Sequence, residues 1–147
     1  MDWKYTSDVF DSVTLHDCRI TRWIFGGDII CELDDGFDVF ADCPQNDTGR
    51  HKRTGKAAMI LQNADFLRGV LYISDKDEKP LGKDDIAALE LEVLEEKRYT
   101  GSVFLACDAW KTKYGDCYCE IEFSCSGIIY CWNEFTEDAW FQDYDKK

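Results

Sequence analysis

The chain has 147 residues, 45% of them apolar and 14% aromatic, enough to bury roughly 70% of the unfolded surface around one core and too apolar for global disorder. Its 17 basic and 30 acidic residues leave a formal charge of −13, which repels phosphate backbones and anionic bilayers and argues against nucleic-acid and membrane partners. Residues 1–8, MDWKYTSD, show neither a basic nor an apolar signal region, so the eight cysteines are expected as thiols in a reducing, cytoplasmic setting.

In chain order, CRITRWIF at 18–25 alternates so that Cys18, Ile20 and Ile24 share one strand face. Gly26-Gly27-Asp28 is a tight turn into IICEL at 29–33, and Asp34-Asp35-Gly36 turns again into FDVFA at 37–41. The stretch 42–55 is polar and holds Pro44, Gly49 and Gly55, the composition of an outward, mobile loop. KAAMILQNA (56–64) and FLRGVLYI (66–73) are expected as neighbouring strands, and SDKDEKPLGK (74–83) as a loop.

DDIAALELEVLEEKR at 84–98 predicts the main α-helix. Two acids open it, Lys97 and Arg98 close it, and Ile86, Leu89, Val93, Ala87, Leu91 and Leu94 make a broad apolar face. Three strands are expected afterwards, at 102–110, 116–125 and 128–133. Ser126-Gly127 would join the last two as a hairpin with Phe123 facing Tyr130 and Ile121 facing Trp132. The tail from 134 is acidic and aromatic, with Trp140 and Phe141 expected to dock. Together these elements predict one α+β domain over 1–147, mostly antiparallel β in a curved-sheet or sandwich-like arrangement, with one helix at about 84–98.

Three clusters carry chemistry worth weighing. His16, Asp17 and Cys18 are adjacent, and on a strand His16 and Cys18 would share a face while Asp17 looks away. A Cys–His pair can be catalytic, but Leu15 and Ile20 point Cys18 toward the core, where a thiol is inert, and Asp17 suits capping of backbone donors. The second cluster, TGRHKRTGKAA at 48–58, fails as a phosphate loop: five residues separate Gly49 from Gly55, and Ala57 stands where a hydroxyl should hold magnesium. It is instead a basic island of Arg50, His51, Lys52, Arg53 and Lys56, either paired with the acids at 34, 35 and 38 or open to an anionic ligand or acidic patch. Third, Cys117, Cys119 and Cys125 share strand parity with Ile121 and Phe123, and the chain has no C-x-x-C pair. That favours core thiols over a metal site, and no cofactor is expected.

The segment FDSVTLHDCRI at 10–20, followed by a hairpin and ELDDGFDV at 32–39, resembles a group of small uncharacterised bacterial proteins that carry an LHDxxI-type motif before a β-hairpin. Some of these are immunity-like partners of polymorphic toxins. The resemblance covers residues 10–40, assigns no catalytic residue and implies a binding protein. Trp3, Tyr5, Trp23, Trp110, Trp132 and Trp140 also exceed what one hairpin core requires, and surface aromatics are common interface anchors. The expected function is therefore an acidic interaction module for a basic protein partner, not an enzyme. The alternative is a small-molecule binder or enzyme on a curved sheet, using His16, Cys18 and the basic 50–56 loop.

Overall fold

The computed structural model describes residues 2–144, and these are dominated by antiparallel strands. The strands are β1 (Tyr5–Ser7), β2 (Val13–Thr14), β3 (Arg19–Ile20), β4 (Arg22–Phe25), β5 (Ile29–Leu33), β6 (Asp38–Val39), β7 (Lys52–Thr54) and β8 (Ala57–Gln62). They continue with β9 (Asp65–Ser74), β10 (Asp77–Pro80), β11 (Glu90–Tyr99), β12 (Ser102–Thr112), β13 (Gly115–Ser124), β14 (Gly127–Trp132) and β15 (Phe135–Asp138). Among the described residues one α-helix forms, α1, spanning Lys83–Ala87. Three sheets result, ordered β1-β14-β8-β5-β4, β10-β9-β13-β12-β11-β3 and β15-β7-β6-β2.

The helix expected over 84–98 is corrected to one short turn followed by a ten-residue strand. In β11, Leu91 and Val93 are buried and alternate with Glu90 and Glu92, the period of a strand. A bulge then follows: Val93 pairs with Cys107 and Glu95 with Ala106, leaving Leu94 as the extra residue. That insertion gives Leu91 and Leu94 a spacing of three, which imitates a helical face. The long strand β12 on one side and the short β3 on the other override the local helix preference of the Leu-Glu run.

Two pairings also differ from expectation for one reason. β8 and β9 lie in different sheets, as do β13 and β14, so neither 56–73 nor 116–133 is a hairpin. The chain passes between sheets at both places, and the two crossings are tied together. Ser126 N donates to Gln62 O at 2.8 Å, and Asn63 Nδ2 donates to Ser126 Oγ at 3.1 Å. Phe123 consequently meets Trp23 of β4 (centroids 5.4 Å) and Phe66 (5.8 Å) rather than Tyr130. A third crossing at Thr21 separates β3 from β4 and changes the strand parity, so that Trp23 and not Ile24 turns inward beside Ile20.

The β4–β5 hairpin forms as read, with Phe25 opposite Ile29 and Arg22 opposite Glu32. The stretches read as loops contain strands: β10 pairs with β9 at a sheet edge, and β7 lies between β6 and β15. One cluster of buried side chains joins the apolar faces, from Ile29, Cys31, Leu61 and Ile128 on one sheet to Leu105, Cys107, Cys119 and Ile121 on another. All eight cysteines are free and buried. No helix among the described residues is long and apolar enough to cross a membrane.

Candidate functional site

Residues 14–20 do not begin a strand at His16. Cys18 N donates to Leu15 O at 2.9 Å, closing a turn with His16 and Asp17 at its centre, and Asp17 adopts φ 63°. The turn docks on the β11 bulge: Asp17 N donates to Val93 O (2.7 Å) and Val93 N to Cys18 O (2.8 Å). His16 Nδ1 lies 2.6 Å from Leu94 O, so Nδ1 carries a proton, and Nε2 lies 3.3 Å from Asp17 Oδ2. The imidazole is half exposed, whereas Cys18 is fully enclosed. The three side chains therefore do not make a nucleophile, base and orienting acid. Burial pushes the Cys18 thiol up to about 12, against the opposing pull of Arg53, whose Nη1 lies 3.5 Å from the sulfur. A thiol held there is not a thiolate near neutral pH.

The basic island is drawn into the chain's own acids. Arg53 sits on β7 opposite Asp38 of β6, its Nη1 3.2 Å from Asp38 Oδ2 and its Nε 3.0 Å from the Asp35 carbonyl. Arg50 and Lys52 both hold Asp138 of β15, at 2.6 and 3.0 Å. Together they keep that carboxyl well below its usual range, at about 2. Lys56 faces buried Glu32 at 3.8 Å. His51 accepts from Ala41 N through Nδ1 (3.0 Å) and lies between the rings of Phe40 and Phe141. Lys52 and Arg53 thus lie on a strand between β6 and β15, flanked by Arg50 and His51 at the end of the loop before it and by Lys56 after it.

That strand lines a cleft of about 570 Å³, walled by Asp34, Asp35, Asp38, Arg53, Thr54, Gly55, Thr136, Glu137, Asp138 and Trp140. Local geometry builds it from two directions. The Asp34-Asp35-Gly36 turn is closed by Gly36 N to Leu33 O (3.0 Å) and pinned to β7 through Phe37 N to Thr54 Oγ1 (3.1 Å). From the other side β15 pairs with β7, setting Glu137 opposite Arg53. Five carboxylates and one guanidinium then line the cleft. Asp38 is fully buried, and its Oδ1 has no hydrogen-bond partner among the described residues. Burial raises the Asp38 carboxyl while Arg53 opposes the rise. Asp34, Asp35 and Glu137 are exposed, and Trp140 on the rim is 53% exposed. Of the tail pair expected to dock, Phe141 does so against Phe40 and His51, and Trp140, though 53% exposed, packs its ring near His16 (6.4 Å), Phe141 (5.3 Å) and Tyr144 (5.4 Å).

A second cleft of about 350 Å³ is lined by Phe10, Val13, Leu15, Phe40 and Leu94 together with Asp11, Thr14, His16, Glu95 and Glu96. Glu96 accepts a 2.7 Å hydrogen bond from the Tyr130 hydroxyl through Oε2. Burial pushes its carboxyl up to about 7, the Tyr130 and Arg98 contributions pulling the other way.

Neither Glu137 nor Glu96 was singled out from the linear sequence, whereas Trp140 was among the aromatics named as interface anchors. The signal for the first was Glu137-Asp138, an acidic pair able to lie opposite the basic pair Lys52-Arg53. For Glu96 the misread helix hid the strand face on which it lies. No protein-family model, curated protein or solved structure matches the chain.

Proposed function

We propose that the protein is an acidic binding module that engages a basic protein partner through the cleft between the Asp34-Asp35-Gly36 turn and β15, in the manner of an immunity-like protein in the cytoplasm. The observation that carries this reading is the charge inventory of the cleft. Its one cation, Arg53, is already committed to Asp38 and the Asp35 carbonyl, while Asp34, Asp35 and Glu137 have no cationic partner among the described residues. Such a patch speeds encounter with a basic surface and opposes acidic competitors. Trp140 supplies the exposed aromatic area that anchors interfaces. The net charge of −13 acts in the same direction over longer range.

The test is capture of partners from the native host followed by carbodiimide coupling, which joins a carboxylate to a lysine amine in direct contact. The expected result is a basic protein linked at Asp34, Asp35 or Glu137, with capture weakening steeply as salt rises. An acidic partner, or links confined to other faces, would overturn the reading.

A second reading, a small-molecule site, is favoured by Glu96. A carboxyl held near neutrality in an apolar cleft with a histidine on its rim is the arrangement proton-transfer sites use. In this reading Glu96 and His16 act, and Cys18 does not.

A further inference from the structure

We propose that the acidic cleft receives an arginine side chain of the partner, its guanidinium lying between the Trp140 indole and the carboxylates of Asp38 and Glu137. This rests on the reading above that the partner is basic, and it names the group recognised.

The buried oxygen of Asp38 is the starting point. Oδ2 is used by Arg53 Nη1, but Oδ1 is enclosed at the cleft wall with no donor. An unpaired buried acceptor of this kind is destabilising until a donor reaches it. Arg53 makes no hydrogen bond to Oδ1: its Nη1 faces Asp38 Oδ2 and the Cys18 sulfur, and its Nε the Asp35 carbonyl. The cleft therefore has room and negative charge, and its wall includes a buried acceptor with no partner among the described residues.

A metal ion does not fit that arrangement. No group of three or more His, Cys, Asp or Glu side chains among the described residues is placed to hold one, so the carboxylates line the cleft without converging on a point. A cation that donates in several directions from a flat frame does fit. Guanidinium offers five N–H donors in a plane, is weakly hydrated and stacks on aromatic faces, whereas ammonium is a compact and strongly hydrated charge. Trp140 provides an indole 53% exposed at the rim, and cation–π attraction is strongest over tryptophan. A cleft of about 570 Å³ accommodates the side chain with its flanking backbone.

The experiment uses the full chain and the capped tripeptides Gly-Arg-Gly, Gly-Lys-Gly and Gly-citrulline-Gly, with affinity read by calorimetry. The arginine peptide should bind about threefold or more tighter than the lysine peptide, and the neutral citrulline peptide should bind at least about tenfold more weakly. Trp140→Ala and Glu137→Gln, both at exposed positions, should each weaken arginine binding about threefold. Asp38→Asn should weaken it most, provided circular dichroism shows the fold intact. Equal affinity for arginine and citrulline peptides, equal or tighter lysine binding, or indifference to both Trp140→Ala and Glu137→Gln overturns the inference. If the arginine peptide does not bind while carbodiimide capture still links a basic protein at Asp34, Asp35 or Glu137, the guanidinium assignment fails and the basic-partner reading stands. If neither occurs, both fail.

Discussion

Asp17 holds a left-handed backbone conformation, φ 63°, at the centre of a turn that is hydrogen-bonded at both ends to β11 or to itself. Aspartate tolerates that region through its short polar side chain, glycine tolerates it freely, and a β-branched residue does not. Asp17→Gly should therefore stay within about 0.5 kcal/mol of the parent, while Asp17→Val should cost about 1–2 kcal/mol in urea unfolding. Equal losses for both would place the importance of Asp17 in its carboxylate, as a catalytic or recognition role would require. Glu96 makes a pH-dependent prediction at the same scale. Its folded value, about 7, lies above the ordinary 4.5, so its favourable contribution is complete below about pH 4.5 and is lost as pH rises through 7. Glu96→Gln keeps an acceptor for the Tyr130 hydroxyl and cannot ionise. It should match the parent at pH 4.5 and exceed it by about 2 kcal/mol at pH 8, allowing for partial exposure. A stability difference that does not change with pH would show that Glu96 titrates normally.

The elements that build the acidic cleft depend on one close approach. Gly36 has φ 79°, and a Cβ there would collide with Thr54 Oγ1 and with the carbonyls of Thr54 and Gly55. Gly36→Ala should therefore lose about 3 kcal/mol or more, or fail to fold, through both the strained backbone and the displaced β7. A melting temperature unchanged in Gly36→Ala would mean that the 34–36 turn does not lie on β7 as described. Strands whose partners adjoin them were legible beforehand: the β4–β5 hairpin followed from Gly26-Gly27-Asp28 and alternation. The sheet crossings at Thr21, Asn63 and Ser126 were not, because a residue that leaves one sheet for another interrupts alternation no more than a turn does. The strand β11 was hidden by a different cause, a bulge whose extra residue, Leu94, created helical spacing inside a strand. That same residue places the carbonyl on which His16 rests.

Across the whole molecule, charge was read correctly in amount but not in place. The basic island was visible as a run of cations, and its possible acids at 34, 35 and 38 were visible too. Its main partner, Asp138, lies 86 residues from Lys52, and that pairing requires the tail to return as a strand beside β7. The return converts the most basic segment of the chain into the wall of an acidic cleft and leaves Trp140 at its rim. The residues expected to meet a partner, Arg50, His51, Lys52, Arg53 and Lys56, are thus engaged within the chain, and the cleft carboxylates without a cationic partner among the described residues are Asp34, Asp35 and Glu137. The most direct test is a nuclear magnetic resonance titration of the labelled full chain with a capped arginine peptide at low salt. Binding at the cleft predicts shifts concentrated on the Trp140 indole N–H and the amides of 34–38 and 136–138, disappearing at high salt. Shifts centred on Phe10, His16 and Glu96, or spread evenly over the acidic surface, would contradict the account.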